Sequence, residues 1–60
     1  MTVYKSIEVG TKAYRKVMKQ IGKCMEKGGY VEYDHRVIDT RDLNGHLVQK
    51  HLVDVVLHDA

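Results

Sequence analysis

Four histidines, one cysteine, two of the five aspartates and a row of lysines are the residues of this 60-residue chain whose chemistry goes beyond packing. His35, His46, His51 and His58 are scattered over its second half. Zinc sites draw their ligands from close, recurring spacings, often with cysteine. No Cys/His pair here has such a spacing, so the histidines read as ordinary half-buried strand residues and no metal site is expected. Their titration range would still make an assembly sensitive to mild acid. Cys24 lies in an apolar stripe, whereas a catalytic thiolate needs an electropositive, partly exposed site with a base nearby. It reads as a core residue. Asp34 and Asp54 could face each other across two strands as an acid/base dyad, but on an open sheet surface, and catalysis needs a concave, water-excluding site. With no nucleophile–base pair and no phosphate-binding loop, an enzyme is not expected.

The lysines give a clearer signal. Residues 12 to 27 hold six cations (Lys12, Arg15, Lys16, Lys19, Lys23 and Lys27) against one anion, a net of +5. The rest holds four cations and seven anions, a net of −3, so the overall +2 conceals two unlike segments. A ridge of Lys12, Arg15, Lys16, Lys19 and Lys23 could meet nucleic-acid phosphate or an acidic protein surface. Lysine predominates over arginine, giving charge without forked geometry, and no aromatic stacking platform accompanies it. A solvated face that keeps a small protein soluble is the competing reading.

The elements that must position these residues follow from periodicity. Thr2 to Val9 reads as a strand, with Val3, Ile7 and Val9 on one face, Lys5 interrupting it, and Tyr4, Ser6 and Glu8 on the other. Gly10-Thr11 breaks it, and Thr11 is a helix N-cap. From Lys12 to Lys27, Tyr14, Val17, Met18, Ile21, Cys24 and Met25 fill one helical stripe, with the cations opposite. Gly28-Gly29 supplies a left-handed stop. Tyr30 to Thr40 and His46 to Leu57 are two further strands joined by a hairpin through Asn44-Gly45.

The hairpin register can be argued. A two-residue turn sets Val37 opposite Leu52 and mixes the apolar faces. A three-residue loop, Leu43-Asn44-Gly45 with Gly45 left-handed, sets Val31 opposite Leu57, Tyr33 opposite Val55 and His35 opposite Val53. A one-residue slip flips every side chain, so the register that unites the apolar set is preferred. It makes a core face of Val31, Tyr33, Val37, Val53, Val55 and Leu57. It also sets Asp34 against Asp54, a destabilising pair: either the register is wrong or a cation relieves it, Arg36 or a lysine from another subunit. The second face then carries Tyr4, Tyr30, Ile38, Val48, Leu52 and Val56 beside charged groups. A contiguous apolar set of that kind indicates an interface.

A right-handed crossover makes strands one and two parallel, with the valine-rich strand three antiparallel between them. The expected fold is a single α+β domain over residues 1–60: a βαββ unit with one amphipathic helix on a three-stranded sheet. Such a short chain buries about 60% of its unfolded surface, and small scaffolds add disulfides, a metal or oligomerisation. A lone cysteine forms no internal disulfide, so homo-oligomerisation through Ile38, Val48, Leu52 and Val56 is the expected supplement. No apolar run approaches the roughly 18 residues of a membrane span, and the N-terminus lacks a signal-peptide core. A cytoplasmic protein without membrane contact is expected.

The run Val3-Tyr4-Lys5-Ser6-Ile7-Glu8-Val9, followed by Gly10-Thr11, resembles the start of the dodecins. The aromatic Tyr30, the hairpin glycine Gly45 and the valine-rich last strand extend the likeness as a pattern. The resemblance implies a hollow dodecamer that binds flavin between subunits. The family's flavin-stacking tryptophan falls on Tyr30, in a chain without tryptophan, and its flavin-contacting glutamine on Gln49. The dodecin helix is longer by about one turn and less rich in lysine.

Two functions follow as expectations. The first is a non-catalytic, homo-oligomeric binding or regulatory module that sequesters a small aromatic or anionic ligand between subunits, near Tyr4, Tyr30 and Gln49. The second is a small phage-type inhibitor or adaptor that uses the basic ridge.

Overall fold

Local chemistry sets the bounds of each element. A computed structural model describes residues 1–60, in the order β1 (Thr2–Glu8), α1 (Lys12–Glu26), β2 (Tyr30–Arg41) and β3 (Leu47–His58). Thr11 caps α1: its hydroxyl accepts the Tyr14 N–H at 3.3 Å and donates to the Glu8 carbonyl at 2.7 Å. The helix closes on a Schellman motif, with Gly28 at φ +83° donating to Met25 and Gly29 donating to Cys24 at 3.0 Å. Lys27 is the cap, so the helix ends at Glu26, one residue short of the expected Lys27. The hairpin turns where expected. Gly45 sits at φ +80° and donates to the Asp42 carbonyl, while Asp42 Oδ1 accepts the backbone N–H groups of Asn44 and His46, both at 2.9 Å. This is an Asx turn, for which asparagine and aspartate are suited.

The sheet order is β1-β3-β2, with β3 central and antiparallel to both neighbours. The hairpin register unites the apolar set: Val31 pairs with Leu57, Tyr33 with Val55, His35 with Val53 and Asp34 with Asp54. Val17, Val53, Val55 and Leu57 form the buried core, with Tyr4, Ile7, Tyr14, Ile21, Cys24 and Val31 packed around it.

Two expectations are corrected. Tyr4 does not lie on the open face. A bulge at Lys5-Ser6 lets Tyr4 pair with Val55 and Ile7 with Val53, so both face the helix, and Val3 pairs with Val56 on the open side. An extra residue in one strand reverses the facing of everything on one side of it. Ser6 carries the strain, at φ +55°. Tyr33 and Val37, assigned to the core face, are 50% and 48% exposed. Tyr33 lies alongside α1 on the edge strand β2 and lines an open groove there; for Val37 the length of the helix is the reason. Fifteen residues reach about 22 Å, whereas twelve-residue strands reach about 40 Å, and the molecule is 46 Å long. Beyond the helix the hairpin continues as two uncovered strands.

Candidate functional site

The open face of the sheet carries the residues expected at an interface. Leu52 and Val56 are half-buried, and Ile38 and Val48 are 39% and 37% exposed. Val3 joins them at 47%. At one end of this face Tyr30 stacks flat on its cross-strand partner His58, with centroids 4.1 Å apart and 6° between planes. His58 Nε2 lies 3.3 Å from Glu32 Oε2, outside hydrogen-bonding geometry.

Tyr4, Tyr30 and Gln49 do not converge. Tyr4 faces the helix and Tyr30 the open side. Gln49 pairs with Asp39, nine residues along β3 from His58, a span of about 30 Å. Within one chain these three cannot touch a single small molecule.

A polar clasp of Asp54, Arg36 and Ser6 holds the bulge. Asp54 Oδ1 accepts the Ser6 backbone N–H at 2.8 Å. Arg36 Nε lies 3.0 Å from Asp54 Oδ2, and Arg36 Nη2 donates to the Ser6 hydroxyl at 2.9 Å. Arg36 is thus the cation that relieves the Asp34/Asp54 opposition. The Ser6 N–H, foremost, and the Arg36 guanidinium hold the Asp54 carboxyl below its ordinary value, against a smaller opposing effect of desolvation. That is the wrong direction for a general acid; Asp54, with Ser6 and Arg36, forms a structural clasp. Arg36 and Asp54 are legible in the sequence; the part of Ser6 is signalled only by Lys5 breaking the β1 alternation.

Between α1 and the free edge of β2 runs an apolar groove of about 500 Å³, lined by Met18, Ile21, Met25, Gly29, Tyr30, Val31 and Tyr33. It arises because Met18 and Met25, two of the six stripe residues, point past the core and stay 41% and 62% exposed. Tyr33 lies beside Tyr14, and its hydroxyl is held above its usual value by burial first and by Tyr14 second. Cys24 is half-buried, its thiol 3.4 Å from the His58 carbonyl, as a packing residue should be.

The basic ridge is present as expected. Lys12, Arg15, Lys16, Lys19, Lys23 and Lys27 are all exposed, and none forms an ion pair. No helix is long and apolar enough to cross a membrane.

The histidines separate into three environments. His46 lies in the turn, 3.6 Å from Asp42, and His58 is under Tyr30. His35 and His51 come together on the helix-side face, beyond the reach of the helix. His35 Nε2 stands 3.0 Å from His51 Nδ1, with the rings 8° from parallel. Sixteen residues separate them in the chain, and only the hairpin register joins them. No third His, Cys, Asp or Glu completes a cluster. No protein-family model, curated protein or solved structure matches the chain.

Proposed function

We propose that this chain is a non-catalytic, homo-oligomeric βαββ module, dodecin-like in architecture, that sequesters a small aromatic or anionic ligand between subunits. One observation carries the reading: four of 60 residues are buried, while both sheet faces leave large apolar side chains in the open. A free-standing domain with so small a core is marginal. Contiguous apolar surface of this kind belongs to interfaces. Copies packed through Leu52, Val56, Ile38 and Val48 would bury it. The exposed, flat Tyr30/His58 stack offers a planar ligand an aromatic surface. Gln49, about 30 Å away in the same chain, could join it only from another subunit. Affinity would then be coupled to assembly.

Native mass spectrometry of the purified protein tests the reading. A discrete oligomer carrying the extra mass of a small molecule is expected, and Leu52→Asp or Val56→Asp should dissociate it. A folded, soluble monomer overturns it.

The second reading, an inhibitor or adaptor for an acidic protein or a nucleic acid, is favoured by five exposed helix cations, and Lys27 at the cap, without a single ion pair. Single-stranded RNA is a direct probe. Binding that weakens steeply with salt and is lost in Lys16→Glu/Lys19→Glu, with assembly intact, supports this reading. Binding that survives the charge reversal at low salt refutes it.

A further inference from the structure

The histidine pair on the uncovered end of the hairpin has a geometry that packing does not require. Its ring centroids are 5.2 Å apart and its facing nitrogens 3.0 Å apart. The difference is about two ring radii, so the two nitrogens lie between the rings and point at each other. One proton fits in that gap. Between neutral rings, one nitrogen donates and the other accepts, and one lone pair is always directed into the gap.

The backbone fixes this arrangement. His35 pairs with Val53, and His51 with Val37, so the two histidines occupy diagonal positions on one face of a continuous antiparallel ladder. Diagonal neighbours lie within reach of ring side chains. Both side chains are exposed, and the helix does not cover them. Neither ring has a carboxylate or cation as partner.

We propose that His35 Nε2 and His51 Nδ1 form a two-nitrogen chelate for a borderline transition-metal cation, with Zn²⁺ as the reference ion. Imidazole is a suitable ligand for such ions. Two nitrogens bound at about 2.0–2.1 Å in a tetrahedral site stand roughly 3.3–3.4 Å apart, a few tenths of an ångström wider than the free pair. A swing of both exposed rings turns their lone pairs onto a common point beside the present nitrogen–nitrogen line. The bridging proton moves to the far nitrogen of its own ring, so a neutral pair releases no net proton. The far nitrogens, His35 Nδ1 and His51 Nε2, have no protein partner in the way. No acidic side chain joins the pair. Water, or the same pair from a second copy, completes the coordination. This site does not depend on the ligand or the assembly proposed above.

The test is calorimetric titration of the chelator-treated, tag-free full chain with Zn²⁺ at neutral pH, alongside ¹⁵N NMR of the imidazoles. Saturable binding is expected at one ion per chain, or one per two chains if a second copy supplies the remaining ligands. The His35 Nε2 and His51 Nδ1 resonances should move. His35→Gln and His51→Gln should each weaken binding by at least about tenfold, since even outer-shell partners are worth that much. His46→Gln should leave it unchanged. Both rings are exposed, so the variants should keep the wild-type far-ultraviolet circular dichroism. Binding that survives both substitutions, follows His46 instead, or fails to saturate below millimolar Zn²⁺ overturns the proposal.

Discussion

Replacing Gly29 by alanine tests how the helix end is seated on the sheet. A Cβ at Gly29 would collide with the His58 carbonyl oxygen and lie 2.7 Å from Cys24 Sγ and 3.1 Å from the Cys24 carbonyl oxygen. The thiol can rotate away, losing its contact with the His58 carbonyl. The two carbonyls cannot move without shifting the end of α1 from the end of β3. Overpacking of this kind costs about 1–3 kcal/mol, and the stiffer unfolded chain returns about 0.4–1 kcal/mol. The net loss is about 1–2 kcal/mol, and each kcal/mol lowers Tm by about 4–8 °C in a domain of this size. Gly22 provides the counter-case. It lies inside α1, and a Cβ there meets nothing within 4 Å. Gly22→Ala should therefore stabilise by about 0.5–1 kcal/mol. The same chemical change, seven residues along, should have opposite signs. Thermal and urea denaturation followed by circular dichroism at one fixed protein concentration would measure both, since stability changes with concentration where copies associate. A neutral or stabilising Gly29→Ala, or two effects of the same sign, would refute the seating described here.

The clasp and the core make further predictions. Asp54 titrates below its ordinary 3.8 because the Ser6 N–H and Arg36 favour the carboxylate. That stabilisation is fully present above the ordinary value and is lost as pH falls through the lower folded one. Asp54→Asn should therefore flatten the acid limb of the stability–pH curve below about pH 4; an unchanged limb would show that the clasp contributes nothing. Ser6→Gly removes the strain of a left-handed serine, about 1–2 kcal/mol, and keeps the N–H to Asp54. A net gain of about 0.5 kcal/mol in urea denaturation is expected after losing the hydroxyl contact with Arg36, which is worth about 1 kcal/mol. Val55 is fully buried, so Val55→Ala should cost about 2 kcal/mol from lost burial and the cavity left behind, read as a lower Tm.

Much of this fold was legible because its signals are local. The Thr11 hydroxyl, the period of the helix stripe and Gly28 lie within a few residues of the backbone groups they satisfy. The hairpin register is a long-range fact, yet it too could be read. Of the two turn lengths weighed, only the three-residue loop places Val31, Tyr33, Val53, Val55 and Leu57 on the same side, and Gly45 suits that loop. The same reasoning placed Asp34 against Asp54 and named Arg36 as a cation able to relieve them.

What the tertiary structure alone decided are the relations between elements. The spacing of Tyr4 and Ile7 is three, which suits neither face of a regular strand, and only the pairing of β1 with β3 shows a bulge that turns both inward. The strand and helix lengths could be counted, but where α1 lies over the sheet depends on how Val17 seats among Val53, Val55 and Leu57. That seating leaves Tyr33 and Val37 in the open and forces the close approach at Gly29. His35 and His51 read as separate strand residues in the sequence. Their meeting follows from a shared register and from a helix too short to cover them, and no local pattern encodes either relation.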